Sequence, residues 1–212
     1  MEIERWICTA RLRKKEEVVK LLLKKGANME EEDIHGTALH CAIENRNKAI
    51  VSLLLEKEAN MEAEDIHGTA LNCAIIRGDE AIVKLLLKKG ADTETNNRWR
   101  TSVLHFATKE GHKAVVHLLL ENGVDLEAKK GYRTALNYAI KEVDEAIVKL
   151  LLEKQVYIEA SDEDETALLC ATKMGHEGIV KLLRNKCANF ETEDGYFGFT
   201  TLQWRLGRER RQ

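Results

Sequence analysis

The residues that could do chemistry are seven histidines, five cysteines and the carboxylate run "EASDEDE" at 159–165. Their spacing fits no known catalytic constellation. No nucleophile elbow, GxxxxGK[ST] phosphate loop, GxGxxG turn or HExxH helix occurs. None of the histidines stands in a register that pairs it with a carboxylate. Cys41 and Cys73 lie 32 residues apart, and Cys170 falls in the same register further on. Packed helices sit about 8–10 Å apart, whereas a disulfide needs Cα atoms within about 7 Å. Cys41 and Cys73 are therefore not expected to bridge. A metal needs donors that converge, and one column offers a row instead. The thiols read as small apolar residues of a helix, no metal site is expected, and the acidic run reads as a solvated turn. No cofactor and no enzymatic activity are expected.

The register itself comes from a repeat. "EDIHGTAL" stands at 32–39 and again, letter for letter, at 64–71. With the threonine of "TAL" as phase mark, the series is Thr37, Thr69, Ser102, Thr134, Thr166 and Thr200. The intervals are 32, 33, 32, 32 and 34, and a step back of 32 lands on Arg5 of "RWICTA". The predicted units are about 1–36, 37–68, 69–101, 102–133, 134–165, 166–199 and a truncated 200–212, together one domain over 1–212.

Each unit carries two apolar segments, such as "TALHCAI" at 37–43 and "AIVSLLL" at 49–55. The i, i+3, i+4 spacing of Ile50, Leu53 and Leu54 gives one apolar helical face. Thr37, Thr69, Thr134 and Thr166 are placed to cap the first helices through their side-chain oxygens. Gly26, Gly90 and Gly123 suit the left-handed position after the second. Glu58, Gln155 and Cys187 fill that slot elsewhere, at about 1 kcal/mol each. Two short helices cannot bury their apolar faces alone, so stacking must do it. Leu39, Leu71, Leu104, Leu136, Leu168 and Leu202 form one expected core ladder. Ala10, Ala42, Ala74, Ala107, Ala139 and Ala171 form another, where only a small side chain lets helices approach.

Hydrophobic residues make up 44% of the chain and charged residues 33%, enough for a core and for solubility. The net charge of −3 gives no global field toward nucleic acid or an acidic membrane. The apolar runs are far too short to span a bilayer, and "MEIERWICTA" lacks the pattern of a secretory signal. Five cysteines without framework spacing fit a reducing compartment, cytoplasmic or nuclear.

The period, "TALHCA", "EGHKAVVHLLLENG" at 110–123 and "KGADTE" at 89–94 resemble the ankyrin repeat. The resemblance spans nearly the whole chain. It implies an all-α solenoid of stacked helix-turn-helix units with projecting β-turns. It also implies that His40 and His105 stabilise turns, and that His112 and His176 fill structural slots between helices. The chain departs from the pattern in having no proline, with Thr-Ala-Leu where the family has Thr-Pro-Leu. Glu30, Glu62, Glu94, Glu127, Glu159 and Glu191 replace the family's turn asparagine.

The resemblance implies a non-enzymatic protein-interaction module that binds a partner protein on its concave face and turn tips. The turns differ from unit to unit, and there a partner would read them. Arg98, Trp99 and Arg100 in "NNRWRTS", with Tyr132 and Arg133 one unit on, make a basic aromatic patch of the kind that dominates binding hot spots. Ile76, Arg77 and Lys109 at the ends of first helices, with Phe106 and Tyr138 in the same column as the cysteines, are further candidates. The alternative is nucleic-acid or acidic-ligand binding through the basic turns of units four and five. Neither a small-molecule substrate nor a membrane is expected, and the protein is expected to be a monomer.

Overall fold

The computed structural model describes residues 16–32, 35–94, 102–126, 134–154, 156, 158, 161–162 and 165–186. These form eleven helices: α1 Glu16–Lys24, α2 Ala38–Glu44, α3 Lys48–Glu56, α4 Ala70–Ile76, α5 Glu80–Lys88, α6 Val103–Lys109, α7 Lys113–Glu121, α8 Ala135–Lys141, α9 Glu145–Glu153, α10 Ala167–Met174 and α11 Glu177–Asn185. A short antiparallel pair, β1 Ser161–Asp162 and β2 Glu165–Thr166, precedes α10. The fold class is the all-α repeat solenoid expected from the sequence. First helices run seven or eight residues and second helices nine.

Contacts divide the chain into two compact halves, Met1–Phe106 and Ala107–Gln212. In the first, α2 packs on α4, α1 on α3 and α3 on α5, so like helices stack on like. The second half repeats the arrangement, with α8 on α10, α7 on α9 and α9 on α11. Both ladders are buried where they are described: Leu39, Leu71, Leu104, Leu136 and Leu168, and Ala42, Ala74, Ala107, Ala139 and Ala171. Leu202 and Ala10 lie outside the described residues.

The helix starts differ in part from expectation. Thr134 and Thr166 accept from the backbone N–H three residues on, at 3.4 Å each. Thr37 instead pairs its hydroxyl with the His40 ring at 3.0 Å, and the Thr69 hydroxyl has no hydrogen-bond partner. Second helices are capped by residues the sequence reading passed over: Asn47, Asp79 and Asp144 accept from Ile50, Ile82 and Ile147. Beyond them, Gly26, Gly90 and Gly123 are left-handed as expected, and Glu58 holds the same conformation at φ 63°. Gln155 and Cys187 lie outside the described residues.

A second left-handed slot separates the two helices of each repeat in which both are described. Glycine fills it at Gly78, Gly111 and Gly175, but Arg46 and Val143 fill it in the other repeats at φ 54° and 60°. Arg46 gains a compensating contact, because its guanidinium donates to the Arg77 carbonyl at 2.6 Å. Val143 is a β-branched residue, 52% exposed, in a region that clashes with its Cβ.

The turn before α4 is tight. Asp65 and Gly68 exchange backbone hydrogen bonds at 3.0 and 3.3 Å, and Asp65 Oδ1 accepts from the His67 N–H at 2.7 Å. The tip presents Ile66, 62% exposed. The preceding copy of the same turn docks against it. A Cβ on Gly36 would meet the Asp65 Cβ at 2.7 Å and the His40 ring at 3.0 Å. Further round the turn, Glu30 accepts from the Asn60 N–H and Glu62 from the Asp92 N–H, each at 3.0 Å. The glutamates that replace the family's asparagine thus tie one turn to the next.

Two outcomes follow for urea unfolding. Val143→Gly should raise stability by about 1 kcal/mol, while Val143→Ala, which keeps a Cβ, should gain less. Gly36→Ala should cost about 1–3 kcal/mol more than Gly26→Ala. Both glycines are left-handed, at φ 82° and 80°, but a Cβ at Gly26 meets nothing within 4 Å.

Candidate functional site

The residues singled out from the sequence fall into two groups. Arg98, Trp99, Arg100, Tyr132 and Arg133 lie outside the described residues. Ile76, Arg77, Phe106, Lys109 and Tyr138 are described. Ile76 is half-buried at the end of α4, and Arg77 caps that helix in an exposed position. Phe106 and Tyr138 are half-buried on α6 and α8, and Lys109 is exposed at the end of α6.

Arg77 is tied into a small network. It donates to Glu44 Oε1 at 3.1 Å across the repeat boundary, and its carbonyl accepts from Arg46. His35 Nδ1 lies 3.9 Å from the other Glu44 oxygen. His117 stands 3.5 Å from Glu121, one helical turn on. His35 and His117 thus have carboxylate neighbours, contrary to the sequence reading, with both histidines exposed. Exposed pairs of this kind contribute little to stability.

His40 behaves as the resemblance implies. It is buried, and its Nδ1 accepts from the Thr37 N–H at 3.3 Å. Its Nε2 therefore carries the proton and donates to the Gly68 carbonyl of the next repeat at 3.2 Å. His105 Nδ1 likewise pairs with the Ser102 hydroxyl at 2.7 Å. Asn72 takes the His40 position one repeat later, and neither polar atom of its buried side chain has a hydrogen-bond partner.

Cys73 is not simply an apolar filler. Its Sγ lies 3.5 Å from both carboxylate oxygens of Asp65, to which it donates. The side chains of His40, Asp65 and Cys73 bring their donor atoms within 4.8 Å of one another. The convergence that the cysteine column lacks thus arises across it, from a turn and a neighbouring helix. The only sequence signal was Asp65 eight residues before Cys73, one repeat after His40. Burial pushes the Cys73 thiol well up from its ordinary value, and the Asp65 charge pushes it further.

Elsewhere, an open groove of about 480 Å³ along α3 and α5 is lined by Lys48, Glu80, Ala81, Lys84, Leu85 and Lys88. It holds no nucleophile or histidine. Among the described residues no helix is long and apolar enough to cross a membrane.

Stacked helix pairs, projecting turns and turn-stabilising histidines define a repeat scaffold whose buried polar groups serve structure. Models of ankyrin repeats match residues 7–97, 64–130 and 104–194, and the chain belongs to the ankyrin-repeat family. The ankyrin repeat domain of Bcl-3, described as a unique member of the IkappaB protein family, superposes with a TM-score of 0.84 at 25% identity. That match covers 100% of this chain and 98% of the other. An ankyrin repeat domain (ABAYE2397) from Acinetobacter baumannii AYE gives a TM-score of 0.76 at 27% identity, over 82% of this chain and 92% of that one. The human ASB11 ankyrin repeat domain is similar in fold alone, with a TM-score of 0.78 at 24% identity over 100% and 98% of the two chains. No curated protein matches in sequence. Ankyrin repeats are generally protein-interaction modules, and the family is typically non-enzymatic.

The raised thiol predicts an alkaline effect. Where a folded value lies above the unfolded one, the stability it contributes is complete below the unfolded value. Above about 9 the unfolded thiol ionises while the folded one stays protonated, so stability falls as pH rises from there. Unfolding free energies from urea titrations in the presence of a chelator should drop between pH 9 and 10.5 by up to about 1 kcal/mol per pH unit more in wild type than in Cys73→Ala.

Proposed function

We propose that the chain, acting as one domain, is a non-enzymatic module that binds another protein through its first-helix ends and turn tips. The observation that carries this reading is where the repeats agree and where they differ. The buried leucine and alanine ladders recur from copy to copy, while many residues of the turns and helix ends differ in the sequence. Prefolded turns present side chains with little ordering cost on binding. Arg98, Trp99, Arg100, Tyr132 and Arg133 are the proposed anchors, with Ile76, Phe106, Lys109 and Tyr138 as further proposed contacts. Their charge suits an acidic or amphipathic partner segment. Arg77 contributes less in this reading, because binding would have to compete with Glu44. The role is that of an adaptor or scaffold in the cytoplasm or nucleus.

The test is affinity capture with wild type and a Trp99→Ala/Arg133→Ala double mutant, both checked for folding by circular dichroism. A protein retained by wild type and weakened at least ten-fold in the mutant supports the patch. Equal retention by both would move the site elsewhere on the scaffold. Binding of nucleic acid, with a steep salt dependence, would replace the protein reading altogether.

A further inference from the structure

We propose that His40 Nε2, a carboxylate oxygen of Asp65 and Cys73 Sγ form a zinc site between the first helices of successive repeats, with the Gly68 carbonyl closing the coordination. The donors come from α2, from α4 and from the turn leading into α4. Nitrogen, oxygen and sulfur together suit zinc and exclude magnesium or calcium, which take oxygen alone.

The spacing fits the ion. With Zn–S near 2.3 Å and Zn–O near 2.0 Å, a tetrahedral edge between sulfur and oxygen is about 3.5 Å. Cys73 Sγ lies 3.5 Å from both Asp65 oxygens. An edge between nitrogen and carbonyl oxygen is about 3.4 Å, and His40 Nε2 lies 3.2 Å from the Gly68 oxygen. The ligand atoms of His40, Asp65 and Cys73 lie within 4.8 Å of one another, against tetrahedral edges of about 3.3–3.6 Å, so these three side chains need close by only about 1 Å.

The protons balance without any oxidant. The Cys73 S–H bond breaks, the thiolate binds zinc and that proton leaves to solvent. The Nε2 proton of His40 moves to Nδ1, freeing the Nε2 lone pair for the ion. The Thr37 hydroxyl, 3.0 Å from Nδ1, turns to accept the relocated proton in a hydrogen bond, and the Thr37 N–H gives up its bond to that nitrogen. Zinc-bound histidines are usually held in this way through their second nitrogen. One carboxylate and one thiolate neutralise the dication, so the buried centre carries no net charge and escapes the cost of an unpaired ion. The carboxylate that holds the free thiol protonated has the opposite effect once a cation sits between them, since a coordinating thiol is deprotonated outright.

The experiment uses the full chain, reduced and stripped with a chelator, and titrates it with Co²⁺. A thiolate-to-cobalt charge-transfer band with tetrahedral d–d bands should saturate at one equivalent and be displaced by zinc. Cys73→Ala should lose the band, and Cys170→Ala, a buried thiol in the other half, should keep it. Zinc should raise the melting temperature of stripped wild type by a few degrees and leave Cys73→Ala unmoved. If Cys73→Ala fails to fold, Asp65→Asn takes its place and should weaken cobalt binding at least ten-fold. Absence of the band in wild type, or its persistence in folded Cys73→Ala, would overturn the site.

Discussion

The approach of the Gly36 backbone to the Asp65 side chain sets the distance at which neighbouring repeats of the N-terminal half can meet. There is no room for a Cβ between them. That approach brings the His40 ring within reach of the Gly68 carbonyl, so a hydrogen bond crosses the boundary without distorting either turn. It also fixes Asp65 in the orientation that receives both the His67 N–H and the Cys73 thiol. Helix stacking behind the turns then follows from the alanine ladder, where the absence of bulk allows α2 and α4 to pack. A repeat is thus stabilised mainly by its neighbour, and the repeated octapeptide is one surface written to meet itself.

Polar groups within this stack are committed to structure. Glu30 and Glu62 hold backbone N–H groups of the following turns, and Arg46 and Arg77 hold a carbonyl and a carboxylate. Such groups are poor candidates for reading a partner, since binding would have to break what they already do. Ile66, 62% exposed at its turn tip, carries no such commitment.

Much of the fold was legible because it is periodic. The phase of Thr37, Thr69 and Thr134, the two ladders and the glycines after second helices all recur at fixed intervals. What stayed hidden depends on pairs distant in sequence or on context. The caps at Asn47, Asp79 and Asp144 were legible by residue type but were overshadowed by the threonine series. The left-handed slot at Arg46 and Val143 was masked because neither residue is one that normally adopts it. The glutamate ties reach about thirty residues along the chain. Convergence of Cys73 with His40 needs the stacking geometry itself, which no column of identical residues encodes.

The ties from Glu30 and Glu62 have a further consequence for how such a chain changes over generations. Each glutamate measures the distance to a backbone group thirty residues ahead. A single inserted or deleted residue in between throws that ruler out, whereas a whole repeat gained or lost leaves it intact. Copy number is then the change in length that these ties tolerate best, and the identical segments 32–39 and 64–71 are where one unit can stand in for the next.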